Sequence, residues 1–395
     1  MKEPGMEQIR AFRLHSHHLD AIYQRRDIIS AAGACGLQNT PPGAWETALF
    51  IRIPDCSLAE MDQMLYKEKS LVQAWSIRGL PVVFPADESR TFLSALIAGE
   101  DEQWIYTAGI TAALDFLGMG FDELLELLKQ VMPRLDNEVV VSKTVLDQTL
   151  ADWMLPLLPA EKRGLWNAPS MYGSPDKQTV GGAVVSFMLR PCAFCGLVVF
   201  SGRSKTSPSF TSYRNWTGRP LNADEGAPGN LVRKYLHCYG PATLDGFVNW
   251  LGCTGKQGRR MWASVAEEME EVRTGGKKAF ILSEDHGKLY SVPGFDRELI
   301  LLGGHDPYLD QRDRAVLQPD RTLQKQIWRL VSNPGVVLYR GEAVGIWNSR
   351  KKSNGMEIRL TLWNEIRKRR RICDLAEEYA AFRGLRLMKL EGIEG

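Results

Sequence analysis

The sequence predicts an α+β protein, on three observations. Helix-like, helix-like and ribbon-like stretches follow one another three times over. A run of strand patterns with tight-turn signals closes the chain, and a basic helical segment ends it. Helix, helix and ribbon is the order of a winged helix. The expectation is therefore three tandem winged-helix units, then a small antiparallel β domain with a C-terminal helix. In residues, the units are 1–95, 96–224 and 225–299, and the β domain is 300–395.

In the first unit, "LDAIYQRRDIISAAGACGL" (19–37) carries Leu19, Ile22, Tyr23, Ile28, Ile29 and Ala32 near a 3.6-residue spacing and predicts one helix. "SLAEMDQMLYKE" opens a second with a capping box, Ser57 and Glu60. "SLVQAWSIRGLPVVFP" reads as a ribbon interrupted at Arg78-Gly79 and stopped by Pro85. The second unit has helical patterns in "FDELLELLKQVM", "TVLDQTLADWML" and "VGGAVVSFMLRPCAFCG". "LVVFSGRSKTSPSFTSY" then predicts two strands around a basic loop. The third has a helix, a Gly240-Pro241 turn, a Thr243 cap and a second helix. Its hairpin is expected in "KAFILSEDHGKLYSV", turning at Asp285-His286-Gly287. Past Ile300, strands are expected with turns at Arg340-Gly341 and Asn354-Gly355. A helix from about Asn364 to Phe382 follows, stopped at Gly384.

The chain is 395 residues, 44% hydrophobic and 24% charged, which is the composition of a folded globular protein. No apolar run reaches the length of a membrane span, and the polar N-terminal segment lacks the apolar region of a signal peptide. Seven scattered cysteines fit a reducing cytoplasm. Charge is uneven: residues 321–395 carry 16 Lys and Arg against 8 Asp and Glu, while the rest is net acidic. A polyanion-binding end and a solvated helix both fit that asymmetry. Cys192 and Cys195 have no second pair at zinc-site spacing and read as buried helix cysteines. His15, His17 and His18 read as a partly exposed helix face. No nucleotide-binding glycine pattern occurs, so neither cofactor nor metal is expected.

Several phrases in order along the chain then resemble one family: "RLHSHHLD", "GLQNTPP", "SLVQAWSIRGLPVVFPAD", "KYLHCYGPATLDGFVNWLG", "LLGGHDPYLDQRDR" and "GEAVGIW". Together they resemble the AlkZ-like winged-helix DNA glycosylases. The resemblance implies a C-shaped protein around a basic channel for duplex DNA, hydrolysing the N-glycosidic bond of bulky N-alkylated purines or unhooking interstrand crosslinks. The family's catalytic turn is Gln, an apolar residue, then Gln or Asp, commonly followed by Asp-Pro. Here Gln38, Asn39 and Thr40 stand at those positions, followed by Pro41-Pro42. Only the first residue is kept. A histidine often found shortly after the Arg-Gly is replaced here by Val82.

The resemblance thus makes Gln38 and Thr40 the catalytic candidates. Gln38 would orient a water and Thr40 would assist it, although a threonine hydroxyl is no general base near neutral pH. Thr40 is equally placed to cap the next helix, with proline in its first turn. Glu46, six residues on from Thr40, is a further carboxylate in reach. Asn39, Arg78, Arg203, Lys205, Arg214, Arg350 and Lys351 are the candidate DNA contacts, and solvated turns carry such cations too. The expected partner is double-stranded DNA, alkylated or crosslinked, bound by a monomer. A non-catalytic DNA-binding or regulatory protein is the alternative reading.

Overall fold

The structure, a computed structural model, describes residues 3–392 except 173–177, 205, 292, 293, 365 and 367. Helix and sheet are mixed, giving an α+β protein. The chain opens with α1 (Met6–Ser16), whose Ile9 and Phe12 are buried against Val272, Ile281 and Leu289 from far along the chain. Residues 19–37 are not one helix. A 3-10 turn, Arg25–Asp27, leads into the short α2 (Ile28–Gly33). Local side-chain bonds explain the difference: Tyr23 donates to Asp20 and the Gln24 N–H donates to Asp27, an alternative to helical bonding. After β1 (Leu37–Gln38) come α3 (Ala44–Arg52) and α4 (Leu58–Asp62). The Ser57–Glu60 capping box is formed, with the Ser57 N–H donating to Glu60 at 2.9 Å. β2 (Leu71–Trp75) and β3 (Pro81–Pro85) make the expected ribbon across Arg78-Gly79.

The second stretch supplies α5 (Phe121–Val131), β4 (Val140–Val141), α6 (Lys143–Met154) and α7 (Val180–Phe194), then the hairpin β5 (Val199–Ser204) and β6 (Ser207–Thr211). One bridge, Gln73 to Phe200, fuses its strands with the first ribbon into a six-stranded sheet ordered β1-β3-β2-β5-β6-β4. Trp75 stacks on Phe210 at that seam, with Phe200 tilted against both.

The third stretch has α8 (Ala227–Tyr239), α9 (Leu244–Leu251), capped by the Thr243 hydroxyl, and α10 (Gly255–Ala263). Its hairpin is β7 (Met269–Thr274) with β8 (Lys277–Leu282), turning at Gly275-Gly276. The turn expected at Asp285-His286-Gly287 is instead inside α11 (Ser283–Ser291). Two consecutive left-handed glycines make the tight turn, whereas Asp285 is buried and tied to His237 and Lys288.

The closing sheet is ordered β13-β12-β11-β10-β9, from β9 (Leu299–Leu302), β10 (Gly335–Tyr339), β11 (Glu342–Lys352), β12 (Gly355–Leu362) and β13 (Leu387–Glu391). Between β9 and β10 runs α12 (Arg321–Ile327). The sheet is not wholly antiparallel. β12 and β13 are parallel, joined by α13 (Arg369–Phe382), because parallel neighbours need a crossover. That helix starts five residues later than expected and stops at left-handed Gly384. β9 and β10 share a core with α2 and α3, in which Trp45 and Leu49 meet Ile300, Leu302, Val336 and Leu338.

Candidate functional site

Gln38 ends β1, opposite Val82 of β3 in antiparallel register. Left-handed Gly36 (φ +72°) lets this strand approach closely, since a Cβ there would lie 2.6 Å from Val82 Cγ1. The turn that follows contains a cis Thr40–Pro41 peptide. It is fastened by Asn39, whose N–H donates to the Pro81 carbonyl at 2.8 Å. Asn39 Oδ1 accepts from the Gly43 N–H at 2.7 Å, and Nδ2 donates to Gln73 at 3.1 Å. Asn39 is buried with both ends of its amide engaged. α3 begins at Ala44, so the Thr40 hydroxyl does not cap it, and the tie expected of Thr40 is made by its neighbour. Thr40 is half-buried, and its hydroxyl has no partner among the described residues.

The Gln38 amide is held on three sides. Nε2 donates to the Thr40 carbonyl at 2.8 Å and lies 3.3 Å from His305 Nδ1, while Oε1 accepts from Arg78 Nη2 at 3.1 Å. Arg78, itself left-handed at φ +57°, also donates to Asp310 at 2.7 Å and to the Trp250 carbonyl at 3.0 Å. Burial holds the His305 imidazole below its ordinary pKa; nearby Asp310 opposes that and Arg78 adds to it. A neutral ring can accept at Nδ1 from the Gln38 amide.

His305 and Asp310 come from the phrase "GGHDPYLDQRDR", and its Asp306, Gln311 and Asp313 are engaged as well. Asp306 is fully buried in a two-pronged pair with Arg52 of α3, at 2.7 and 3.0 Å, which fixes the adjacent His305 against the Gln38 turn. Gln311 and Asp313 accept from Arg13, whose guanidinium also donates to the carbonyls of Gly240 and Pro241. One loop thereby joins α1, α3, the β2–β3 connection and the α8–α9 turn. Sequence reading found the phrase but not these roles, because no helical or strand period marks a loop that works through long-range side-chain bonds.

A model of the family described as DNA glycosylase AlkZ-like matches residues 31–382. The chain belongs to the AlkZ-like DNA glycosylase family. It is similar to an interstrand DNA cross-link repair glycosylase of Streptomyces sahachiroi, 25% identical over 358 residues and covering 86% of each chain. The solved structure of Streptomyces sahachiroi DNA glycosylase AlkZ has the same fold, with a TM-score of 0.76 at 20% identity, over 98% of this chain and 99% of that one.

Around the site of this family member, Glu46 points from α3 toward two cations. It accepts from Arg383 at 2.6 Å and lies 3.7 Å from Arg203 of β5. Arg203 is thereby near the turn, whereas Arg214 is exposed and 3.7 Å from Asp136. Arg350 and Lys351 are exposed near the end of the β11–β12 hairpin, with Glu357 opposite Arg350. Lys205, and Arg367 of the basic block, lie outside the described residues. The histidines do not share one helix face, since the helix ends at Ser16 and only His15 lies on it. His15 is exposed and bonded to Asp20, but His17 is buried and His18 largely so.

His17, Cys35 and Cys238 are all buried, with their ligand atoms within 4.8 Å of one another. A neutral imidazole and two thiols are a donor set for a soft or borderline cation. The Cys238 thiol also meets the carbonyls of Ala34 and Ser16, at 3.4 and 3.8 Å, as a core thiol does. No described helix is long and apolar enough to cross a membrane.

Proposed function

We propose that this protein binds damaged duplex DNA and hydrolyses the N-glycosidic bond of an N-alkylated purine, unhooking a crosslink where two such bases are joined. The observation that carries this is the hydrogen-bond count of Gln38. An amide has two donor hydrogens and two acceptor lone pairs. Both hydrogens have acceptors, the Thr40 carbonyl and His305 Nδ1, and one lone pair is taken by Arg78. One lone pair of Oε1 remains. A water donating to it turns its own lone pair outward, toward the sugar carbon of a bound nucleotide.

An N7-alkylated purine is a cationic leaving group, so the C1′–N9 bond breaks with its electron pair going to the base and neutralising it. The water oxygen bonds C1′ and releases its proton to solvent. The partial charge of Oε1 faces the developing oxocarbenium ion, and the Thr40 hydroxyl gives the water a second contact. Glu46 and Asp310 are held by arginines and are assigned no base role. Arg78 and His305 are positioning residues in this scheme, and Asn39 is a staple of the turn. Arg203, Lys205, Arg214, Arg350 and Lys351 grip the DNA backbone. The three helix–hairpin groups are read as winged-helix units spanning 1–95, 96–224 and 225–299, acting as a monomer in the cytoplasm.

Single-turnover base release from duplexes carrying N7-methylguanine or a nitrogen-mustard crosslink tests the reading, beside a no-protein control. Release above background that Gln38→Ala slows about 100-fold is the expected result. DNA bound without release would overturn catalysis and leave a non-catalytic DNA-binding protein.

A further inference from the structure

Leu330 and Val331 are the most exposed large apolar residues described, at 105% and 97% of full exposure. They are adjacent, and they tip the loop that follows α12. The helix side of this loop is anchored: Ile327 is buried, Trp328 donates from its indole to the Leu309 carbonyl at 3.0 Å, and Arg314 covers the Trp328 ring at 4.6 Å. The far side is anchored as well. Asn333 Oδ1 accepts from the Arg329 N–H at 2.8 Å, closing the loop, and the Asn333 carbonyl oxygen packs so closely on Gly304 that a Cβ there would lie 2.3 Å from it. Gly304 immediately precedes His305, which faces Gln38. The two apolar side chains are thus held out on a braced loop whose base abuts the candidate site.

The approach to that tip is cationic. Arg321 and Lys325 stand four residues apart on one side of α12, and Arg329 follows in the loop beside the tip. All three are exposed, and among the described residues none is paired with a carboxylate. Asp320 is engaged in capping the helix and does not neutralise them.

We propose that Leu330 and Val331 form a wedge that enters the base stack beside the lesion, with Arg321, Lys325 and Arg329 gripping the flanking phosphates. Proteins that kink or open a duplex insert apolar side chains between base steps in this way, and chemistry at a buried sugar carbon needs such opening. Charge complementarity selects the occupant: a row of unpaired cations leading to an apolar tip matches phosphates leading to a base step. The proposal rests on the glycosylase reading and adds the means of opening its substrate.

The test uses a duplex carrying a 2′-fluoro N7-methylguanine nucleotide, which resists depurination, with 2-aminopurine as its neighbour. Binding of the wild-type protein should raise 2-aminopurine fluorescence as the stack opens. Leu330→Ala with Val331→Ala should abolish most of that rise. The same pair should slow base release from an ordinary lesion duplex by about tenfold or more, and leave release from single strands unchanged. Replacing Arg321, Lys325 and Arg329 with glutamine should reduce the slope of log affinity against log salt by about 2.7. Full fluorescence and an unchanged rate in the double variant overturn the wedge while leaving the glycosylase intact, and point the tip toward a protein partner. A wild-type protein that binds no DNA overturns both readings. Both residues are solvent-exposed, so unchanged thermal unfolding is the check that the variant is folded.

Discussion

Arg78→Lys separates two roles that one arginine can have, aligning Gln38 or binding a phosphate. The substitution keeps the charge and the left-handed backbone cost of a non-glycine residue at φ +57°, so both cancel in the comparison. It loses the fork, because one ammonium cannot reproduce the directed contacts to Gln38, Asp310 and the Trp250 carbonyl. A charge-assisted hydrogen bond contributes about 1.5–3 kcal/mol. The Arg78 and Asp310 side chains are 20% and 29% exposed, which favours the lower end. About 1.5 kcal/mol is about a tenfold slower single-turnover base release. Gln38→Ala should cost more, about 100-fold, since the proposed mechanism turns its amide oxygen toward the transition state. If Arg78 works through Gln38, the double variant should be no slower than Gln38→Ala alone. Multiplying effects would refute the positioning role. Binding titrations complete the test: an unchanged salt slope is expected for Arg78→Lys, and for Arg78→Ala a loss of about 0.9 in the slope would place a phosphate on the guanidinium instead.

Four further outcomes are expected. Protonating His305 would set two donors face to face with the Gln38 amide. Base release should therefore fall as pH drops below the ordinary histidine value of 6.5, and His305→Phe should flatten that limb; an unchanged limb in the variant would contradict the contact. His18 is held down to about 4, first by burial and then by Arg52, so the unfolded chain takes up its proton first as pH falls. Between 6.5 and about 4 this removes about 1.4 kcal/mol of stability per pH unit. His15 and His237, raised by Asp20 and Asp285, work the other way and stabilise most below 6.5. Urea midpoints measured from pH 7 to 4.5 should therefore fall less in His18→Asn than in wild type. Asp306→Ala strands the buried Arg52 guanidinium and should cost about 3–5 kcal/mol in urea unfolding, where a loss under about 1 would show that water reaches the arginine. Gly36→Ala combines a left-handed backbone with contact against Val82, so about 2–4 kcal/mol should be lost, and base release with it if β1 shifts.

Wherever apolar period or turn chemistry dominates, the sequence was readable. The β2–β3 ribbon, the Thr243 cap, the strands around Arg340-Gly341 and the helix ending before Gly384 all have local causes. The failures also have causes. Residues 19–27 carry a helical apolar spacing, but Asp20 and Asp27 bind neighbouring groups and pull the backbone out of helix. The third hairpin lies one element earlier than the sequence pattern suggests, because Asp-His-Gly resembles a turn while Gly275-Gly276 makes it. In the site, Gln38 was legible as a motif residue, but apart from the Thr40 carbonyl its partners are distant in sequence: Arg78 at 40 positions, His305 at 267 and Asp310, through Arg78, at 272. Such partners are fixed by the closing of the chain on itself, which no local pattern records.

The same geometry brings an imidazole to the Gln38 turn from a distant part of the chain. Val82 stands where the resemblance implies a histidine, and in the ladder it is the direct partner of Gln38. A histidine there would present an imidazole on the side of β3 that Gln38 shares. In this chain an imidazole reaches the same glutamine from elsewhere, with His305 held in place by the Arg52–Asp306 pair. His305→Phe together with Val82→His is the corresponding experiment. Recovery of base release relative to His305→Phe alone would show that what the site requires is an imidazole beside Gln38, whichever strand or loop supplies it. No recovery would mean that the position on the loop matters, and that His305 also serves the Asp310–Arg78 side of the cluster.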